Sequence, residues 1–208
     1  MTTQPTTLRD RVRQAATEAL LDSAEKAMIE KGYEKATMHE IAAAAGCATG
    51  TFYLYFKNKE ELLHAIVARR SAQMHQAGLA AAQAAEGPLE KLRAAYGALV
   101  AYTFANQPFY RFFFRVVPFR HSAMRENLPQ HIVEGHDRFA DVLTELIRQC
   151  QQQNLIRDDY PAADIQEFMD NVGIAMVERF MYSPTPPPLE QQTAMLWSFI
   201  TGGIGSTR

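Results

Sequence analysis

The stretch Thr37-Met-His-Glu-Ile-Ala-Ala-Ala-Ala-Gly-Cys-Ala-Thr-Gly-Thr-Phe-Tyr-Leu-Tyr-Phe-Lys-Asn-Lys-Glu-Glu-Leu-Leu63 decides the fold. Thr37 stands three residues before Glu40, so each side chain can satisfy the other's free backbone N–H at a helix start. Ile41, Ala42 and Ala45 give that helix a small-residue inner face, and Gly46 falls where the chain must turn. A second short helix is predicted from Thr49 to Phe56. Phe52 and Phe56, four apart, form its inner stripe with Ile41 and Cys47, which leaves Tyr53 and Tyr55 toward the outside. Asn58 followed by Glu61 opens a third helix. Two short helices joined by a tight turn are either a plain helical hairpin or a helix-turn-helix, whose second helix enters the major groove of DNA. Four rings on two turns exceed what so small a body can bury, which favours the helix-turn-helix.

Working outward, apolar or small residues at Val12, Ala16, Ala19, Leu20, Ala24, Ala27 and Met28 predict one helix from Leu8 to Lys31, stopped by Gly32. The helix opened at Asn58 runs to about Ala85 and connects two bodies. Further helices are expected near 88–105, 108–118, 122–153, 161–182 and 188–203, broken by Asn106-Gln-Pro108, Pro118, Asn154 and the proline cluster at 183–188. Strand signals are missing. The expected architecture is all-α: a three-helix DNA-reading domain over residues 8–58, then a larger helical domain over 59–208.

Composition narrows the class. With 47% hydrophobic and 21% charged residues, the chain is expected to be an ordinary globular protein. It has no apolar run long enough to cross a membrane and no basic-then-apolar leader pattern. Cys47 and Cys150 stand alone, as reduced thiols do, so a cytoplasmic location is expected. The net charge is −2, and the first sixty residues hold eight Lys or Arg against eight Asp or Glu. Bulk charge therefore leaves a nucleic-acid partner open; only the clusters Arg9–Arg13 and Lys57–Lys59 suit a duplex. His131, Glu134 and His136 invite a metal reading, but their spacing does not share a helical face. Nucleophile elbows, phosphate-binding glycine loops and Cys/His pairs are also missing, so neither an enzyme nor a cofactor is expected.

The stretch quoted above, with the helix end Ala-Met-Ile-Glu-Lys-Gly-Tyr33 before it, resembles the signature of the TetR family of repressors, and the resemblance covers about residues 9–66. It implies that Thr37 binds a backbone phosphate and that Ala48, Thr49, Gly50, Thr51, Tyr53 and Leu54 face the groove. By the same resemblance Tyr55 and Lys59 hold flanking phosphates. The chain departs from the common pattern at Ala48-Thr49 and at Leu54, which removes charged or hydrogen-bonding readers. Leu54 can instead touch a thymine methyl.

For the C-terminal helices the resemblance implies a small effector and a homodimer. Phe168, Val172, Met176 and Phe180, with Leu196, Phe199 and Ile200, are expected at the dimer interface, because helices apolar on two faces must bury both. The ring-rich region supplies candidate effector residues: Phe104, Phe109, Tyr110, Phe113, Phe114, His121 and Met124, with Phe139, Met169, Val172 and Met176 opposite. These same residues make an ordinary core equally well. Arg111, Arg115 and Arg120 either meet an anionic head group or are solvated or paired with helix acids. The expected function is an effector-released repressor on a palindromic operator, with duplex DNA, a small hydrophobic effector, neutral or acidic, and a second subunit as partners. The alternative is a helical small-molecule binder, or an enzyme, without DNA binding.

Overall fold

The computed structural model describes residues 7–116, 127–183, 185 and 188–204, with only the backbone described at 189, 196 and 199–204. The described residues form nine helices and no strand. These are α1 (Leu8–Lys31), α2 (Met38–Ala44), α3 (Thr49–Tyr53), α4 (Lys59–Ala84), α5 (Pro88–Ala105), α6 (Gln107–Val116), α7 (Gln130–Gln152), α8 (Ala162–Tyr182) and α9 (Leu189–Ile204). None of them is long and apolar enough to cross a membrane. Two compact units divide inside α4, the first ending at Arg69 and the second starting at Arg70.

In the first unit, α1 opens on a capping box between Thr7 and Asp10 and ends at Gly32, whose φ of 83° suits a residue without a Cβ. Its burial begins only at Leu20. Val12, expected on the inner stripe, is 61% exposed, because the first turns of α1 run beyond what the unit's small core covers. That core is Met28, Ile41, Phe52, Leu62 and Ile66, all fully buried, ringed by Leu21, Ala24, Phe56 and Leu63. Phe52 and Phe56 lie ring to ring at 5.5 Å, as their four-residue spacing requires.

In the second unit α5, α7 and α8 enclose Leu92, Tyr96, Leu143, Ile147, Cys150, Ile165 and Met169. The long helix expected from residue 122 is interrupted: α7 starts at Gln130 with Pro129 as its N-cap, φ −54° and ψ 144°. A proline biases the residue before it away from helical geometry, so Leu128 cannot carry a continuous helix through Pro129. Residues 122–126 lie outside the described residues.

Candidate nucleic-acid interface

The site is built by α2, the turn after it, and α3. Thr37 Oγ1 accepts from the Glu40 N–H at 3.2 Å, while Glu40 Oε2 accepts from the Thr37 N–H at 3.1 Å and from its hydroxyl at 2.9 Å. Lys31 Nζ donates to Glu40 Oε1 at 2.9 Å. That bond first, then the two from Thr37, holds the Glu40 carboxyl down at about 2. Both donors of Thr37 are thus turned onto Glu40, and its side chain remains exposed.

At the turn, Gly46 takes φ 68° and the Cys47 N–H closes back to the Ala42 carbonyl at 3.1 Å. The turn sets Ala48 as N-cap of α3, which has no side-chain cap. The helix is shorter than expected, ending at Tyr53 with Leu54 as C-cap. Tyr55 and Phe56 continue only as a tightening turn, their N–H groups both bonding to the Phe52 carbonyl at 3.0 and 3.2 Å.

Around the sealed Phe52, the other α3 residues face outward. Ala48, Gly50 and Thr51 are exposed, Tyr53 is 49% and Leu54 78% exposed, and Thr49 and Tyr55 are half-buried. Among the residues the sequence assigns to the groove, none is therefore shut inside. Lys59 is half-buried, with Nζ donating to the Tyr33 carbonyl at 2.7 Å and the Glu34 carbonyl at 3.2 Å and lying 4.6 Å over the Tyr33 ring. It staples the α1–α2 loop to the start of α4, where the Glu61 N–H also bonds to Asn58 Oδ1 at 2.7 Å. The sequence reading missed His39. Its Nδ1 lies 2.9 Å from Thr49 Oγ1, across the turn. Ten residues separate the two, and only the turn geometry brings them together.

The expected effector residues are placed within the second unit. Phe109 and Phe113 stack at 5.8 Å, and Tyr110 meets Phe114 at 6.0 Å. Phe104 stacks on Phe180 at 3.6 Å, and Phe139 stacks on His75 at 4.6 Å. Met169 is fully buried, with Val172 and Met176 partly buried against the same core. His121 and Met124 lie outside the described residues. A groove of about 470 Å³ is lined instead by His136, Asp137, Asp141, Thr144, Gln166 and Glu167, beside alanines. A smaller one of about 200 Å³ includes Arg179, Phe180, Gln192 and Met195. Of the expected dimer residues, Phe168 is 49% exposed and Phe180 is buried inside its own subunit; the side chains of Leu196, Phe199 and Ile200 lie outside the described residues.

Residues 20–66 match the family described as bacterial regulatory proteins, tetR family. A fatty acid metabolism regulator protein of Bacillus subtilis is 41% identical over 54 residues, 26% of this chain and 28% of that protein. The chain thus spans little more than a quarter of that relative's length. An HTH-type transcriptional repressor of Mycobacterium tuberculosis is 24% identical over 170 residues, covering 82% of this chain and 84% of that protein. The solved fatty acid degradation regulator of Bacillus halodurans superposes with a TM-score of 0.73 at 20% identity, over 89% of this chain and 98% of that one. The curated relatives and structural neighbours are transcriptional regulators, not enzymes.

Proposed function

We propose, from the premise that residues 20–66 form a DNA-binding domain of the tetR family, that the chain is a homodimeric transcriptional repressor released from its operator by a small effector. One observation carries the DNA role: Phe52 is sealed in the core while Ala48, Gly50, Thr51, Tyr53 and Leu54 stand exposed around it. A five-residue helix anchored by one ring and presenting short polar groups can bring its backbone close to base edges. Thr37, Thr49, Tyr55 and Lys59 complete the contact set, with phosphates as the partners of the tyrosine and the lysine.

The dimer reading rests on α8. Phe168, Val172, Ala175, Arg179 and Tyr182 follow helical spacing, and all five are exposed or half-buried. A second copy covering this stripe supplies the two-fold symmetry that a palindromic site matches, with half-sites about 34 Å apart. The effector is read as a small hydrophobic molecule, neutral or acidic, held in the second unit. Support comes from its aromatic and methionine side chains, which adapt to apolar guests. An effector that binds one arrangement of the dimer more tightly draws the population toward it and so lowers operator affinity.

The test is fluorescence anisotropy of the full chain on duplex from its own upstream region and on a scrambled duplex. Expected is selective binding that weakens steeply between about 50 and 200 mM salt. Equal affinity for both duplexes, or none for either, overturns the reading. Mass spectrometry of small molecules co-purifying with the chain addresses the effector.

A further inference from the structure

The His39–Thr49 contact joins the helix before the turn to a polar group on α3. Thr49 opens α3, its N-cap Ala48 contributes no side-chain cap, and His39 is exposed on α2. A threonine hydroxyl has one hydrogen and two lone pairs, and by itself rotates to suit either a donor or an acceptor. It therefore discriminates poorly between bases. A neutral imidazole offers one nitrogen as donor and the other as acceptor. With Nδ1 taken up by Thr49, the other nitrogen, Nε2, is left for the medium around α3. In a DNA complex that medium is rich in phosphate oxygens, which only accept. In the neutral ring Nε2 then keeps the hydrogen, Nδ1 accepts from the Thr49 hydroxyl, and the lone pairs of Oγ1 are what Thr49 presents outward.

We infer that His39 is a specificity-determining positioning residue: by accepting the Thr49 hydroxyl hydrogen in a hydrogen bond, it makes Thr49 an acceptor that selects bases presenting an amino group in the major groove, adenine or cytosine, at one position of each half-site. This rests on the DNA-binding reading above and adds a residue that acts through another. The amino groups at adenine N6 and cytosine N4 are the donors in the major groove, whereas guanine and thymine present acceptors that this oriented hydroxyl cannot satisfy.

The experiment is a competition titration of the full chain against duplexes carrying each of the four bases at every half-site position. Thr49→Val identifies the position Thr49 reads. There, the wild type prefers adenine or cytosine by about two- to tenfold, the range one hydrogen bond carries. His39→Ala abolishes that preference and leaves the other positions unchanged, while the double variant His39→Ala/Thr49→Val loses no more than either single one. Thr49→Ser, which keeps the hydroxyl, retains the preference, and His39→Asn, whose amide oxygen can stand near the Nδ1 position, restores part of it. A uniform loss on all four bases in His39→Ala, losses that add in the double variant, or a wild-type preference for guanine or thymine at that position overturns the inference. Selective binding that survives His39→Ala intact would remove this assignment alone, whereas a wild type that selects no duplex removes the DNA reading beneath it.

Discussion

Arg69 is held against Glu25 at the end of the first unit, Nη2 to Oε2 at 2.9 Å, with side chains only 10% and 7% exposed. Its Nη1 reaches Asp22 at 2.7 Å and Glu18 at 3.2 Å. Residues 18, 22 and 25 lie on successive turns of one face of α1, so three carboxylates converge on one guanidinium, whose planar fork suits several acceptors at once. Removing the cation strands the Glu25 carboxylate in a site with little water. Arg69→Ala is expected to cost about 3 kcal/mol in denaturant unfolding, and Arg69→Ala combined with Glu25→Ala less than the sum of the two. A loss below about 1 kcal/mol, the level of an exposed pair, would show that the convergence is ornamental.

Glu40 gives the first unit an acid-sensitive clamp. Bonds from Lys31 and Thr37 hold its carboxyl at about 2, below its usual 4.5. The native state prefers the ionised form, so this contribution is complete above pH 4.5 and fades as the pH falls toward 2. Glu40→Gln should lower the unfolding midpoint at neutral pH and flatten the profile between those limits. An unchanged slope there would contradict the clamp.

His75 predicts the opposite kind of group in the second unit. Burial, and then the nearby His136, push its imidazole down to about 4 from 6.5, and it stacks on Phe139 at 4.6 Å. The unfolded chain takes up the proton first as pH falls. Stability is therefore full above 6.5, declines between 6.5 and 4, and loses nothing further from this group below 4. In His75→Phe the decline across that window should shrink, as followed by thermal melts from pH 7 to 4. A wild-type melting temperature flat over the same interval would be incompatible with a neutral buried ring.

Gly78 and Gly97 separate helix propensity from packing. Both sit inside helices, where alanine normally adds up to about 1 kcal/mol. A Cβ at Gly97 meets nothing within 4 Å, but one at Gly78 would stand 3.0 Å from Phe139 Cζ and 3.3 Å from Leu99 Cδ2. Gly97→Ala is expected to raise the melting temperature. Gly78→Ala should lower it, by overpacking worth about 1–3 kcal/mol. Gains of equal size at both positions would mean that the Phe139 ring moves aside freely.

Much of the first unit was legible in the sequence because its signals are local. Thr37 with Glu40, Gly46 at the turn, the Phe52–Phe56 stripe and Asn58 before Glu61 are caps and spacings that act over three or four residues. The contacts that tune the site were not legible. His39 meets Thr49 and Lys59 meets the Tyr33 carbonyl only after three helices have packed, and nothing in the intervening residues encodes those distances. The second unit shows the same limit more strongly. Its aromatic residues predicted an apolar interior, yet rings that line a cavity and rings that fill a core share one pattern in sequence. Pro129 was a local signal within an otherwise periodic run, and the sequence reading carried the helix through it.

As a repressor, the protein must insert the outer face of α3 into a duplex groove twice per symmetric pair of subunits. Selecting bound duplexes from a random pool with the full chain tests this most directly. An inverted repeat should emerge, its half-sites centred about 34 Å apart or somewhat more, and it should be lost when Thr49, Thr51 and Tyr53 are replaced together by alanine in a protein that still melts cooperatively. A pool that stays random, or the same repeat recovered by the triple variant, would contradict it.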